Sequence, residues 1–265
     1  MNWVEQVKLT ASDGAVGDEF GNSVSISGDY ALVGAWGDDD NGGNAGSAYV
    51  FHYDGSTWVE QTKLSANDGR GSDFFGQSVS ISGDYALVGA WGDEANVGAA
   101  YIFHYDGSTW VEQTKLSASD GAAFDNFGVS VSISGDYCII GATGDDDIET
   151  SAGSAYVFMR NGTTWVEETK LTSNEWGWYN YFGASVSISG DYAIVGNYVD
   201  DGLGPDPYSA HVFHNDGSIW VEQAALTPSD GAGGRNWFGV TVSISGDYAI
   251  MGIIADDENG FESGP

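Results

Sequence analysis

Basic residues are scarce in this chain, which has 7 Lys and Arg against 39 Asp and Glu and a formal net charge of −32. Proteins that bind nucleic acid or anionic membrane surfaces need clusters of Lys and Arg to neutralise phosphate groups. The composition therefore argues against nucleic acid and against membranes as partners. Four of the basic residues share one repeat position, so we interpret them as structural: Lys8, Lys63, Lys115 and Lys170.

Long apolar runs, cysteine and proline are also nearly absent. Apolar runs such as Ala31–Ala35 are far too short to span a bilayer, and Met1–Glu5 lacks the basic and apolar regions of a signal peptide. The lone Cys138 replaces an alanine of the other repeats, so we expect a buried thiol and no intrachain disulfide. Forty glycines, four prolines and 14% aromatic residues are typical of a turn-rich β protein with a packed core.

What the sequence does contain is one motif repeated five times. Each copy has a Phe-Gly pair, a segment like Ser-Val-Ser-Ile-Ser-Gly-Asp-Tyr, a small apolar run with a Gly near its end, and an acidic loop. The copies begin 52 to 56 residues apart, at Phe20, Phe75, Phe127, Phe182 and Phe238. A period of this length with strand-like content indicates an array or ring of identical supersecondary units.

Each unit has the pattern of four strands, which we label A to D. In the second unit we predict them at Gln77–Ser82, Tyr85–Ala90, Ala99–Tyr105 and Thr109–Leu116. The first alternates Ser with Val or Ile, as in a strand with two different faces, and the second is continuously small and apolar, as in a buried strand. Gly83-Asp84 predicts a type II′ hairpin turn between A and B, and Asp106-Gly107 predicts a type I′ turn between C and D.

Repeated four-stranded antiparallel sheets bury both faces by stacking radially, so we predict an all-β fold, a β-propeller of four-stranded blades. Residues 1–265 would form one domain, with a five-bladed ring as the simplest arrangement. An N-terminal strand at residues 3–9 would complete the last blade, whose own third strand is missing. We expect the protein to continue past Pro265, and a larger ring built from additional repeats is then the alternative to five blades. The open edge of an incomplete last blade would favour self-association by strand pairing. A β-solenoid is the alternative, but its coils repeat at shorter periods.

The repeated strings also resemble a known family. The matching residues are Phe20-Gly21…Val33-Gly34-Ala35, Phe75-Gly76…Val88-Gly89-Ala90 and Phe127-Gly128…Ile140-Gly141-Ala142. They resemble the FG-GAP repeats of integrin α-subunit propellers and, more closely, those of bacterial-type FG-GAP repeat proteins. The resemblance covers essentially the whole chain and implies a largely non-catalytic protein, extracellular or at the cell surface. The integrin calcium motif lies between strands A and B, where Gly28-Asp29 and its equivalents leave no room for it.

A meander places alternate connections at the same end of its sheet, so the long B–C loops and D–A linkers share one face, which we call the loop face. Calcium needs about six to eight oxygen ligands, which acidic, Gly-containing loops supply. The alternatives are ordinary solvated loops and an acidic surface adapted to salt. The candidate calcium ligands are Asp38, Asp39, Asp40, Asp145, Asp146, Asp147, Asp256 and Asp257.

Aromatic residues on the same loop face predict a site that stacks on sugars or recognises a protein. The alternative is that these rings pack within the loops or between blades. The candidate ligand-binding residues are Trp36, Trp91, Trp176, Trp178, Tyr179, Tyr181, Tyr198 and Trp237.

Catalysis has little support in the sequence. We expect none of His52, His104, His211 and His214 to lie beside a plausible nucleophile, and the acids recur in every copy instead of marking one blade. We therefore expect no enzyme and no cofactor apart from calcium. The sequence favours a non-catalytic interaction or adhesion module that binds an extracellular protein or glycan through the loop face. A lectin and a purely structural scaffold are the alternatives.

Overall fold

A computed structural model describes residues 4–173, 179–197, 209–227 and 237–254 of the chain. Its architecture is all-β, with four four-stranded antiparallel sheets and one two-stranded sheet, and the strands of each sheet follow one another in chain order. Within these residues, no helix combines the length and the apolar character that crossing a membrane would require.

Strand bounds repeat from sheet to sheet. The first sheet contains β1 (Val24–Ser27), β2 (Tyr30–Ala35), β3 (Ser47–Tyr53) and β4 (Trp58–Leu64). The second contains β5 (Ser78–Ser82), β6 (Tyr85–Ala90), β7 (Ala99–Tyr105) and β8 (Trp110–Leu116). The third contains β9 (Phe127–Ser134), β10 (Tyr137–Ala142), β11 (Ser154–Asn161) and β12 (Thr164–Leu171). The fourth contains β13 (Ser185–Ser189), β14 (Tyr192–Gly196), β15 (Ala210–Asn215) and β16 (Trp220–Leu226), and the fifth contains β17 (Trp237–Ser245) and β18 (Tyr248–Ile254).

The predicted strands of the second unit are confirmed, with β5 and β8 each starting one residue later than expected. Gly83 has a φ of 55°, as the first position of a type II′ turn requires. The second hairpin differs from its prediction, because Tyr105 pairs with Trp110 across a four-residue loop. In that loop the Asp106 carboxylate accepts hydrogen bonds from the amides of Ser108 and Thr109, an Asx-type turn that replaces the predicted type I′ turn. The segment α1 (Asp93–Asn96) is a single turn whose Glu94 and Ala95 have left-handed φ values of 48° and 62°.

Successive sheets pack face to face, as propeller blades do. Leu32 and Val50 of the first sheet are buried in one cluster with Val79, Ile81 and Phe103 of the second. The A strands of neighbouring sheets contact one another along the whole series β1, β5, β9, β13 and β17. The expected core position of Cys138 is confirmed, since it is fully buried, and its burial raises the pKa of the thiol.

At the first three interfaces between sheets, two glycines permit this close approach. A Cβ on Gly34, Gly89 or Gly141 would collide with the backbone carbonyl of Gly76, Gly128 or Gly183 in the next sheet. The second glycine of each pair belongs to the Phe-Gly motif of the following unit. These two glycines of the repeat are therefore points where neighbouring sheets meet.

Residues 4–10, which include most of the strand predicted at residues 3–9, do not form a β-strand, and Val4 and Val7 are exposed. In the part of the chain that the structure describes, the fifth sheet consists of β17 and β18 alone. Val24 and Ile26 of β1 are exposed, and so is Ile250 of β18, so the first and last sheets do not cover each other. The described residues therefore form an open stack of sheets, and closure into a ring stays a prediction.

Candidate functional site

The loop face brings the B–C loops and the D–A linkers together, as the meander predicted. The Tyr49 hydroxyl from β3 donates to Asp13 in the linker at 2.8 Å and contacts Asp38 in the B–C loop at 3.0 Å. Tyr101 bridges Asp68 and Asp93 in the same way, and Tyr156 bridges Asp120 and Asp145. In each of the first three units, a buried tyrosine thus connects the two acidic segments.

A lysine from strand D lies at the centre of each acidic group. Lys63 Nζ is 2.9 Å from Asp13 Oδ2, 2.7 Å from Asp38 Oδ2 and 2.8 Å from Asp40 Oδ2. The equivalent Lys115 pairs with Asp68 and Asp93, and Lys170 pairs with Asp120, Asp145 and Asp147. We call these three groups, each with its tyrosine, the lysine clusters. They confirm that Lys63, Lys115 and Lys170 have structural roles.

The ionisation of each lysine cluster follows from its contacts. The hydrogen bond from Lys63, and then that from Tyr49, hold the pKa of Asp13 below its ordinary value. Burial raises the pKa of Tyr49, and its hydrogen bond to Asp13 raises it further, so this hydroxyl stays protonated. Burial opposes the charge of Lys63, but hydrogen bonds to Asp38, Asp40 and Asp13 outweigh it and raise the pKa of the ammonium group. Against the same effect of burial, the pKa values of Lys115 and Lys170 are raised by the equivalent hydrogen bonds, so each cluster contains a charged lysine.

In the first and third units, the charged lysine of the cluster contacts carboxylates that were predicted to bind calcium. Carboxylate oxygens of Asp120, Asp145 and Asp147 lie within 4.8 Å of one another, a spacing that suits a metal ion. Lys170 Nζ is within 2.8 Å of all three carboxylates, so the ammonium group takes the central position. A calcium ion would have to displace the lysine to bind there, and the same holds for Asp38 and Asp40. Asp39 and Asp146 are exposed outside these ion pairs, and Asp256 and Asp257 lie outside the described residues.

The fourth unit has no equivalent of the lysine cluster, since His211 stands in place of the tyrosine and Ala225 in place of the lysine. His211 Nε2 lies 2.9 Å from Ser209 Oγ, and its Nδ1 lies 2.9 Å from Glu222 Oε1. This is the order of a serine–histidine–acid triad, an arrangement that the sequence did not lead us to expect at His211. Ser209 and His211 are fully buried, which leaves the serine hydroxyl without access for a substrate.

Three aromatic residues form a patch on the loop face of the first two units. The Phe74 ring stacks on Trp91 with centroids 4.6 Å apart and an interplanar angle of 8°, and Trp36 lies 5.7 Å from Phe74. All three are partly exposed. We call Trp36, Phe74 and Trp91 the aromatic patch. The structure therefore brings two predicted residues together through Phe74, which sequence reasoning missed.

Phe74 has a left-handed backbone, with a φ of 55°. Such a conformation costs a bulky residue on the order of 1 kcal/mol and persists only where surrounding contacts impose it. The amide of Phe74 donates to the carbonyl of Asn44, and the amide of Gly92 donates to the carbonyl of Asp73 beside it. These bonds hold the backbone of Phe74 in place beside the loop that carries Trp91.

The other predicted aromatics are only partly described. The ring centroids of Tyr179 and Tyr181 lie 6.1 Å apart on the loop face of the fourth unit, and Tyr179 is exposed. Trp176, Trp178 and Tyr198 lie outside the described residues. Trp237 begins β17, and its side chain is outside the described part of the molecule. The structure thus describes two aromatic groups on the loop face, the patch and the tyrosine pair.

Comparison with known families identifies the repeat. The model of the FG-GAP repeat matches residues 3–51, 58–103, 110–158, 165–213 and 220–265. The chain belongs to the FG-GAP repeat family. Between them, the FG-GAP matches cover most of the chain, and the match at 58–103 runs from β4 through most of β7. An FG-GAP unit is therefore offset by one strand from a sheet and crosses from one sheet into the next. No curated protein matches the chain by sequence.

The carboxyl groups of this FG-GAP chain predict maximal stability at mildly acidic pH. Burial raises the pKa of Asp73 and Asp125, so their charged forms destabilise the fold at neutral pH, and this cost disappears as pH falls through the folded-state pKa. Asp13 behaves oppositely, because its lowered pKa gives stability that is full above the unfolded-state value of about 4 and is lost as pH falls further. We expect the melting temperature to rise from pH 7 to about 5 and to fall below about 4, measured by thermal denaturation at constant ionic strength.

The variant Asp73→Asn separates this local effect from the general relief of negative charge. Asp73 accepts the amide of Arg70 at 2.6 Å, and an asparagine oxygen preserves that bond without the buried charge. The variant should be stabilised at pH 7 and show a smaller rise towards pH 5. A wild-type melting temperature that falls steadily from pH 7 downward would contradict the assignment.

Proposed function

We propose that this FG-GAP chain is a non-catalytic interaction or adhesion module that binds an extracellular protein or glycan through its loop face. The aromatic patch is the observation that carries the proposal, because two stacked rings and a neighbouring indole lie together, partly exposed, on the loop face. Aromatic side chains of this kind dominate the binding energy of many recognition sites. FG-GAP repeats are typical of extracellular proteins, which supports an extracellular or cell-surface location.

A lectin is the second candidate, favoured by the flat faces of the patch and the carboxylates around it. Asp39 and Asp40 follow Trp36 closely in the B–C loop, and Glu94 follows Trp91, and all three are exposed. A sugar ring could stack on an indole while its hydroxyls donate to these carboxylates. Calcium-dependent binding belongs to the same proposal, and at the lysine clusters it requires the ion to displace the lysine.

The proposal predicts that the patch carries most of the affinity. We expect Trp91→Ala to weaken binding about thirtyfold, since loss of a central aromatic typically costs about 2 kcal/mol. A glycan array and a panel of purified cell-surface and matrix proteins would supply ligands, and isothermal titration calorimetry of the hits would give the affinities. Repeating each titration with calcium and with a chelator, at matched ionic strength, tests the calcium form.

Phe124→Ala is the matched control, because Phe124 is an exposed ring in the equivalent linker of the third unit and lies outside the patch. It should leave binding unchanged. Equal losses in Phe124→Ala and Trp91→Ala would place the site elsewhere. If no glycan or protein on the panels binds, the purely structural scaffold replaces the proposal.

A further inference from the structure

Inside the stack, the preceding sheet covers the A strand of each sheet. We call each such interface between neighbouring sheets a joint. Val79 and Ile81 of β5 are buried against the first sheet, and the equivalent residues of β9 and β13 are buried against the preceding sheets, all between 5% and 9% exposed. Val24 and Ile26 of β1 occupy the same positions but are 69% and 67% exposed. The first sheet therefore exposes an apolar face whose equivalents in the second, third and fourth sheets are buried against the preceding sheet.

The other end of the stack presents the matching face. Leu32, Leu87, Ile139 and Ile194 occupy one position in strand B and are each fully buried against the following sheet. Ile250 of β18 holds that position in the last sheet and is 71% exposed. The two exposed ends are thus the two halves of the same interior joint.

Hydrogen bonds give the joint a fixed register as well as an apolar core. The hydroxyls of Ser25 and Ser27 in β1 accept hydrogen bonds from the amides of Ile81 and Gly83 in the next sheet, both at 3.1 Å. The next three joints repeat the pair, and the last one uses Ser187 and Ser189 with Ile244 and Gly246. Alternating serines in strand A are therefore acceptors for the amides of the following sheet.

Both halves of this ladder are present at the exposed ends. Ser243 and Ser245 of β17 hold the acceptor positions and are exposed. Ile26 and Gly28 hold the donor positions at the other end, and Gly28 has a φ of 57° against 55° for Gly83. The turn at Gly28 in the first sheet therefore has the same backbone conformation as the turn at Gly83, whose amide donates to a serine of the preceding sheet.

We propose that the exposed face of β1 in one copy of the chain binds the exposed face of β17 and β18 in a second copy, head to tail, and so repeats the interior joint between molecules. The second copy is the occupant because this chain itself supplies both faces and both halves of the serine ladder. Such an interface is heterologous, so copies add to one another until a ring closes or a filament grows. The net charge of −32 opposes association at low salt, so added salt favours it.

Two end variants test the polarity of the interface. Ile26→Asp blocks only the first end and Ile250→Asp blocks only the last, and both side chains are exposed, so folding is preserved. In sedimentation velocity over about a hundredfold range of protein concentration, at about 0.5 M NaCl, the wild type should form species larger than a monomer. Each variant alone should be monomeric, and an equimolar mixture of the two should form a dimer and nothing larger.

Val111→Asp is the matched control, since Val111 is half-exposed on strand β8 away from both ends, and this variant should associate like the wild type. A wild type that stays monomeric at every concentration and salt level overturns the proposal. In that case, a lower melting temperature in both end variants would show that the two faces meet within one chain. A mixture that remains monomeric while the wild type associates would also overturn the head-to-tail geometry.

Discussion

Gly141→Ala is expected to lower the free energy of unfolding by about 3 kcal/mol, because it forces a methyl group into the joint between the third and fourth sheets. A Cβ on Gly141 would overlap the carbonyl of Gly183 and the hydroxyl of Ser130. The carbonyl belongs to the backbone of the next sheet and cannot rotate away. The same carbonyl accepts a 2.7 Å hydrogen bond from Ser130, so relieving the overlap breaks that bond as well.

Gly252→Ala is the matched control for Gly141→Ala. Gly252 holds the equivalent position in β18, where a Cβ would overlap only the Thr241 side chain, whose hydroxyl can rotate, and would sit 3.8 Å from the Thr241 carbonyl. We expect this variant to lose less than about 1 kcal/mol. Urea denaturation followed by circular dichroism would measure both. Equal losses would show that the glycines matter through backbone conformation and not through the approach of neighbouring sheets.

The strands of each sheet could be predicted from the sequence because their signals are local. Alternation of Ser with Val or Ile marked strand A, and the bounds of β6 and β7 followed from continuous apolar runs closed by turn residues. The reason for the serines was not visible within one unit. Ser80 accepts an amide from Ile133, a residue 53 positions away in the next sheet, so the hydroxyl serves a contact between repeats.

The acidic loops show why the candidate site was only partly predicted. The number of carboxylates in each loop suggested calcium. The lysine that neutralises Asp38 and Asp40, however, comes from β4 and follows Asp40 by 23 residues in the sequence. The shared repeat position of Lys63 had already indicated a structural role, but only the fold shows that its partners are the predicted metal ligands. An ion pair between residues that are distant in sequence cannot be recognised from the number of charged residues in one loop.

The aromatic patch was partly predicted for a different reason. Trp36 and Trp91 occupy one repeat position and stood out as aromatic exceptions to acidic loops. Phe74 lies beside the regular Phe75, and its equivalents are Glu19, Asn126, Tyr181 and Trp237. Two of these were predicted ligand-binding residues, so the repeat position itself was the signal that could have pointed to Phe74. Its left-handed φ and its stacking on Trp91 are tertiary properties.

Lys170→Met is expected to lower the free energy of unfolding by about 2 kcal/mol. Methionine keeps most of the apolar stem but removes the ammonium group, leaving Asp120, Asp145 and Asp147 without their common counter-ion. Asp145 is buried, and an uncompensated buried charge typically costs about 3 to 5 kcal/mol. Asp147 is exposed and relaxes into water, so a smaller loss is expected for the whole group. Lys8→Met is the control, because Lys8 shares the repeat position but is exposed, and its loss should stay within about 0.5 kcal/mol.

Calcium should distinguish this variant from the wild type more sharply than stability alone. Once Lys170 is replaced, three carboxylates whose oxygens lie within 4.8 Å face a vacated cation position, which suits a hard divalent ion. We expect calcium to raise the melting temperature of Lys170→Met well above that of an ionic-strength control, and to raise the wild type much less, because the lysine competes for the same oxygens. Differential scanning fluorimetry with calcium, magnesium and chelator measures the difference. An equal calcium response in both proteins would mean that the native chain binds the ion without displacing Lys170, and that the ammonium group is not what controls access to these carboxylates.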